Sequence, residues 1–174
     1  LIIRLLKMNL VFPIALIVLA VLSRFISIAP NFSPIISLAL FSGAYLSNRK
    51  FAYLVPIAAM LISDTFLGFH YDMFAVYGSF ALIIYLGSKI NKVNVKSVLV
   101  NSIAGAVFFF LVTNFSVWIT SGMYSHDLKG LMTCYEMAIP FFRNTISSSI
   151  IYSAVMFGTY ELSAKYIPSL STSR

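Results

Sequence analysis

The chain has 174 residues, 60% of them hydrophobic and only 10% charged, with 12 Lys and Arg against 5 Asp and Glu. Soluble domains carry about a quarter charged residues because a water-facing surface needs them, so this composition excludes an ordinary soluble globule and indicates one membrane domain. The net charge of +7 does not indicate nucleic acid. Lys and Arg stand singly or in pairs beside apolar runs, as the positive-inside rule expects, and no basic stripe with interleaved aromatics offers a phosphate track.

A spanning helix needs about 20 mostly apolar residues. In chain order, the apolar runs 9–29, 34–47, 51–69, 73–89, 97–120 and 139–163 predict an all-α polytopic membrane protein of six transmembrane helices. The first run follows Arg4 and Lys7, which would also suit the basic region of a signal peptide. It is long enough to span, however, and has no small-residue cleavage site, so a retained helix is expected. Because residue 1 is Leu, the true start is expected upstream or at Met8.

Pro30-Asn31-Phe32-Ser33-Pro34 breaks the first run from the second, which is short for a span and is expected to be little tilted, or broken and partly buried in protein. Ser47-Asn48-Arg49-Lys50 and Gly68-Phe69-His70-Tyr71-Asp72 flank the third run. Asn91-Lys92-Val93-Asn94-Val95-Lys96 precedes the fifth, and Ser121-Gly122-Met123-Tyr124-Ser125-His126-Asp127 follows it. Such Gly, Pro and polar stretches end helices and belong outside hydrocarbon. Residues 126–138 alternate polar and apolar groups at roughly helical spacing, which predicts a short interfacial helix across the outer mouth.

Small residues at Ser42-Gly43-Ala44, Ala104-Gly105-Ala106 and Ser147-Ser148-Ser149 suit close helix packing. The single cysteine, Cys134, rules out an internal disulfide and is expected to be a small buried side chain.

Orientation follows from the cations. With the N-terminus inside, Arg4, Lys7, Arg49, Lys50, Lys89, Lys92, Lys96, Lys165 and Arg174 are cytoplasmic, and only Arg24, Lys129 and Arg143 fall in the outer half. Both termini are therefore expected in the cytoplasm. Asp64 lies thirteen residues beyond Phe51, roughly 20 Å along its helix, a depth that Arg24 and Asn114 share approximately. Arg143 lies one turn below the outer end of the sixth helix. Charges at such depth are costly unless paired or facing a wet cavity. Two readings remain open: Asp64 pairs with Arg24 or Arg143 to hold the bundle, or these groups line an outward-facing pocket. The aromatics near the outer ends (Phe69, Tyr71, Tyr77, Phe115, Trp118, Tyr124, Phe141 and Phe142) suit either an interfacial belt or a pocket wall.

Catalysis has little support. No GxSxG, HExxH, P-loop or GxGxxG occurs, and only Asp64 among the acids is deep, so a non-enzymatic protein without a named cofactor is expected.

Ser23-Arg24-Phe25, Pro30-Asn31-Phe32-Ser33-Pro34-Ile35, Ala39-Leu40-Phe41-Ser42-Gly43-Ala44, Ser63-Asp64 and Leu67-Gly68-Phe69-His70 carry a resemblance. So do Thr113-Asn114-Phe115 with Trp118, and Ala138-Ile139-Pro140-Phe141-Phe142-Arg143-Asn144-Thr145. Over nearly its whole length the chain resembles an uncharacterised family of small bacterial inner-membrane proteins. More remotely, the layout resembles the substrate-binding S components of energy-coupling-factor vitamin transporters. That resemblance implies a ligand near the outer face, under the loops joining helices one–two, three–four and five–six. It also implies docking on a coupling module through small residues of the first helix. Ala15 and Ala20 are the candidates here, and their spacing of five departs from that family's pattern. In solitary cobalamin-specific S components a soft side chain between helices three and four reaches the corrin cobalt, and His70 occupies that region here.

The resulting expectation is a membrane-embedded uptake protein for a vitamin-like small molecule, with a corrinoid among the candidates. Its site residues are expected to be Arg24, Asn31, Asp64, His70, Asn114, Trp118, Arg143 and Asn144. Arg24 or Arg143 would neutralise Asp64 or meet an anionic group, the three Asn would orient the ligand, Trp118 would stack on a ring, and His70 would be a ligand or donor. The alternative expectation is a non-catalytic accessory subunit of a larger membrane complex, burying its helix faces against other membrane subunits.

Overall fold

The computed structural model describes the backbone of residues 2–26, 29–69 and 71–166. It contains six helices in chain order: α1 (Ile2–Phe25), α2 (Ile35–Tyr45), α3 (Arg49–Leu67), α4 (Met73–Ser88), α5 (Val95–Thr120) and α6 (Leu128–Tyr166). The described residues form no strand. The connections after α1, α3 and α5 share one end of the bundle, called the upper end below. Those after α2 and α4 share the lower end.

Local chemistry sets the boundaries. The Asn48 side chain accepts the Lys50 N–H at 2.9 Å and caps α3, which stops at Gly68, with φ of 99°. Asn94 and Ser97 form a reciprocal capping box at the start of α5, with Oδ1 accepting at 2.8 Å and Oγ at 3.0 Å. Between α1 and α2, the Phe32 N–H donates to the Ala29 carbonyl at 3.0 Å, with Pro30 and Asn31 at the corner. Asn31 has φ of 60°, so this is the type II pattern, in which Pro takes the first corner and Gly or Asn the left-handed second.

Two expectations need correction. The first helix ends at Phe25 rather than near residue 29, because the turn at 29–32 claims the backbone there. The interfacial helix over 126–138 is not separate: α6 runs unbroken for 39 residues from Leu128, with Pro140 inside it. The Asp127 side chain caps this helix, its Oδ1 accepting the Gly130 N–H at 2.7 Å, and that bond with the Ser125 hydroxyl holds its carboxyl below the usual range. A helix of this length extends about 58 Å, nearly twice a hydrocarbon core of about 30 Å.

The core is built on α2, which contacts all five other helices. Nine of its eleven residues are buried, so the short second element is enclosed by protein, as one of the two sequence expectations had it. At about 16 Å it reaches only half a hydrocarbon thickness. Its lower half lies backbone to backbone on α4: a Cβ on Gly43 would stand 2.0 Å from the Ile84 carbonyl oxygen, and one on Gly87 would stand 2.3 Å from that of Leu40. Glycine is required at both positions because any side chain would push the helices apart. Phe41 and Tyr45 then pack edge-on or tilted against Phe157 and Tyr160 of α6, with centroids 4.1–5.5 Å apart.

By length and composition alone, α3 and α5 are long and apolar enough to cross a membrane. Only 39% and 22% of their apolar windows are buried in the bundle, unlike the core helix of a water-soluble protein. Leu19, Leu22, Phe66, Phe74, Val155 and Leu162 are each more than half exposed, so apolar side chains cover the outside of the bundle as well as its core.

Candidate functional site

The last turns of α1 and α3 meet at the upper end and bring two charges together. Arg24 Nη1 lies 2.6 Å from Asp64 Oδ1, with the Asp64 side chain 1% exposed and that of Arg24 18% exposed. The second close contact of Nη1 is the Ser63 hydroxyl at 2.6 Å, which in turn donates to helix carbonyls at Ala59 and Met60. A terminal guanidinium nitrogen has two hydrogens, so these short bonds occupy both. The other carboxylate oxygen, Asp64 Oδ2, accepts the Tyr77 hydroxyl of α4 at 2.5 Å. The carboxylate is thus bonded on both oxygens, and α1, α3 and α4 are tied together where an unpaired charge would be costly. Of the two partners left open by the sequence, Arg24 is the one used.

Beside this cluster lies a cavity of two lobes, each of about 220 Å³. The first lobe sits between α4, α5 and α6; its polar wall is Asn31, Asp72, Thr113, Asn114 and Thr145, and its aromatic wall Phe109, Phe110, Phe141 and Phe142. The second runs beneath the α1–α2 turn, past Arg24, Ser33, Met60, Phe80 and Ser148. Asn31, Val76, Phe109 and Thr145 line both lobes. The left-handed conformation at Asn31 places that residue where the lobes join, and its turn is tied to α6 by Asn144 Nδ2, which donates to the Pro30 carbonyl at 2.9 Å.

The predicted site residues divide accordingly. Arg24, Asn31 and Asn114 line the cavity, while Asp64 lies behind Arg24 and belongs to neither wall. Asn144 acts on the turn rather than in the wall. Trp118 is outside the cavity, its Nε1–H bonded to the Ser125 carbonyl at 2.9 Å and its ring edge-on to His126. Arg143 is exposed and lines neither lobe, because the cavity face of α6 carries 138, 141, 142 and 145. His70 lies outside the described residues. Phe141 and Phe142 resolve as pocket wall; Phe115 and Trp118 do not.

Asp72, Thr113, Thr145 and Ser148 line the cavity without having been singled out as site residues. The signal for Asp72 was an acid in an outer loop. Tyr77, which the sequence offers as interfacial belt or pocket wall, instead bonds Asp64, and its depth on α4 is the signal for that. The small-residue expectation for the first helix needs correction: Ala20 is buried in the bundle and Ala15 is exposed. Five residues turn a helix by about 140°, so the two cannot share one face. Cys134 is buried as expected.

Hydroxyls, amides, one carboxylate and flat aromatic rings can orient and enclose a small ligand. No group of three His, Cys, Asp or Glu able to hold a metal occurs among the described residues.

The chain belongs to the DUF6580 family, a family of unknown function, whose sequence pattern matches residues 5–170. No curated protein and no solved structure matches it.

Proposed function

We propose that this chain is a polytopic protein of a bacterial inner membrane that binds a small molecule from the outer side for uptake, in the manner of an S component. The upper end faces outward and both chain ends face the cytoplasm, as the nine-to-three distribution of cations favours. Six helices thread the bilayer, with α2 sheltered by its neighbours. The apolar exterior of the bundle supports lipid contact, because exposed apolar surface on this scale would not persist in water.

The observation that carries the binding reading is the two-lobed cavity with polar and aromatic walls at the upper end, beside the Arg24–Asp64 pair. Together the lobes fall within the range of about 300–1,000 Å³ typical of small-molecule pockets. That size favours a one- or two-ring compound over a corrin macrocycle. The resemblance to S components rests on helix number, loop placement and this cavity's position. The closed Arg24–Asp64–Tyr77 cluster favours a second reading for those three groups, as struts in an accessory membrane subunit.

Purification from the native membrane in mild detergent, followed by mass spectrometry of co-purifying small molecules and proteins, separates the two. A stoichiometric small molecule with no protein partner supports the binding protein. A fixed set of membrane subunits without a small molecule overturns it.

A further inference from the structure

We infer that the first lobe of the upper cavity is an acceptor-rich site for a small organic cation, with Asp72 as its counter-ion; this rests on the ligand-binding reading above.

The first ground is charge. Two ionisable groups line the lobes, Arg24 and Asp72. The guanidinium of Arg24 is neutralised by Asp64. Asp72 has no cation within ion-pair distance among the described residues; its Oδ1 accepts only hydroxyls, from Ser116 at 2.9 Å and Thr120 at 2.8 Å. The described wall therefore carries one formal negative charge without a counter-ion. Arg143 and Lys129 are exposed and belong to neither wall.

The second ground is independent: where the donors of the wall go. Thr113 Oγ1 donates to the Phe109 carbonyl at 2.8 Å, Thr145 Oγ1 to that of Phe141 at 3.0 Å, and Ser148 Oγ to that of Thr145 at 3.0 Å. Asn114 Nδ2 donates to the Phe110 carbonyl at 2.7 Å. Hydroxyls spent on their own helix offer only lone pairs to a guest, while Asn114 keeps its oxygen and one N–H, and the Arg24 donors face the second lobe only. The first lobe, away from Arg24 and beside Asp72, therefore rewards a guest rich in N–H donors and penalises a carboxylate, whose lone pairs would find few partners there. Four phenylalanines beside it supply ring faces that attract a cation in a water-poor site. The guest that meets all three features is an ammonium or amidinium on a compact apolar body.

The test uses the full chain in detergent and three probes with one body: phenethylammonium, 2-phenylethanol and phenylacetate. Equilibrium binding by calorimetry should rank the ammonium first and phenylacetate last. Asp72→Asn should weaken ammonium binding about 10- to 100-fold, the loss expected for a charge-assisted hydrogen bond, and leave 2-phenylethanol unchanged. Ser116→Ala and Thr120→Ala remove the hydroxyls that hold Asp72 to α5 while leaving its charge. If Asp72 were only structural, they would reproduce the Asp72→Asn result; a cation site keeps its preference in both. Equal or tighter binding of phenylacetate or 2-phenylethanol, or no effect of Asp72→Asn, overturns the cation inference and leaves the binding reading standing. Saturable binding of none of the probes overturns the inference, and the binding reading with it if no small molecule co-purifies.

Discussion

At its lower end α2 approaches α4 closely enough for their backbones to meet, while at its upper end the same helix borders a cavity and a polar turn. Gly43 and Gly87 bring the two backbones together below, four aromatic rings from α2 and α6 pack beside them, and grooves of about 360 and 500 Å³ open at the same end. Above, Asn31 stands at the junction of two lobes, and the polar groups nearby are engaged in pairs or on their own helices. In the proposed membrane setting, hydrophobic burial between helices contributes little, so close approach of small residues must hold the bundle. Both ends keep unfilled space, and the difference lies in its walls: polar and aromatic groups line the upper cavity, while mostly apolar groups line the larger groove between α5 and α6 below. The lower end holds the closest helix contact, and the upper end is the part we propose to meet a ligand.

The largest expected effect breaks the upper end at its charge pair. Asp64→Ala leaves the Arg24 guanidinium largely buried without its partner, and should cost about 3–5 kcal/mol in detergent unfolding. Pairing it with Arg24→Met should recover most of that loss, whereas a double variant no more stable than the single would show that the pair is not the cause. Next comes the lower end. Gly87→Ala forces a Cβ toward the Leu40 carbonyl and should destabilise by about 1–3 kcal/mol. Gly78→Ala on the same helix, where nothing lies within 4 Å of a new Cβ, should instead be neutral or stabilise by up to about 1 kcal/mol. Equal losses at the two glycines would remove the distinction between packed and open faces of α4. The smallest effect sharpens the boundary: Asn144→Ala frees the α1–α2 turn from α6 at a cost of about 1 kcal/mol. Its signature should be faster amide exchange at Phe32, with exchange across α2 and α4 unchanged.

Much of this arrangement is legible in the sequence. Helix count followed from apolar runs and their Gly, Pro and Asn punctuation, and the close-packing role of Gly43 followed from its small neighbours. Arg24 and Asp64 could be matched because the helical rise fixes depth along a span. Rotation about each axis was not legible. Apolar residues surround α5 on every side, so nothing in its pattern said that Asn114 faces the cavity while Trp118 turns toward Ser125. Arg143 and Asn144 are neighbours in sequence, yet one is exposed and the other reaches across to Pro30. The continuity of α6 was hidden by Pro140, which reads as a boundary until its surroundings show that the helix passes through it.

The central claim is that the upper cavity opens to the outside of the cell. In a Cys134→Ser background, Asn31→Cys at the cavity and Asn94→Cys at the lower end can each be challenged with a membrane-impermeant maleimide. The account predicts that Asn31→Cys labels in intact cells and Asn94→Cys only after permeabilisation. Labelling of Asn94→Cys in intact cells, with Asn31→Cys reached only after permeabilisation, would contradict it.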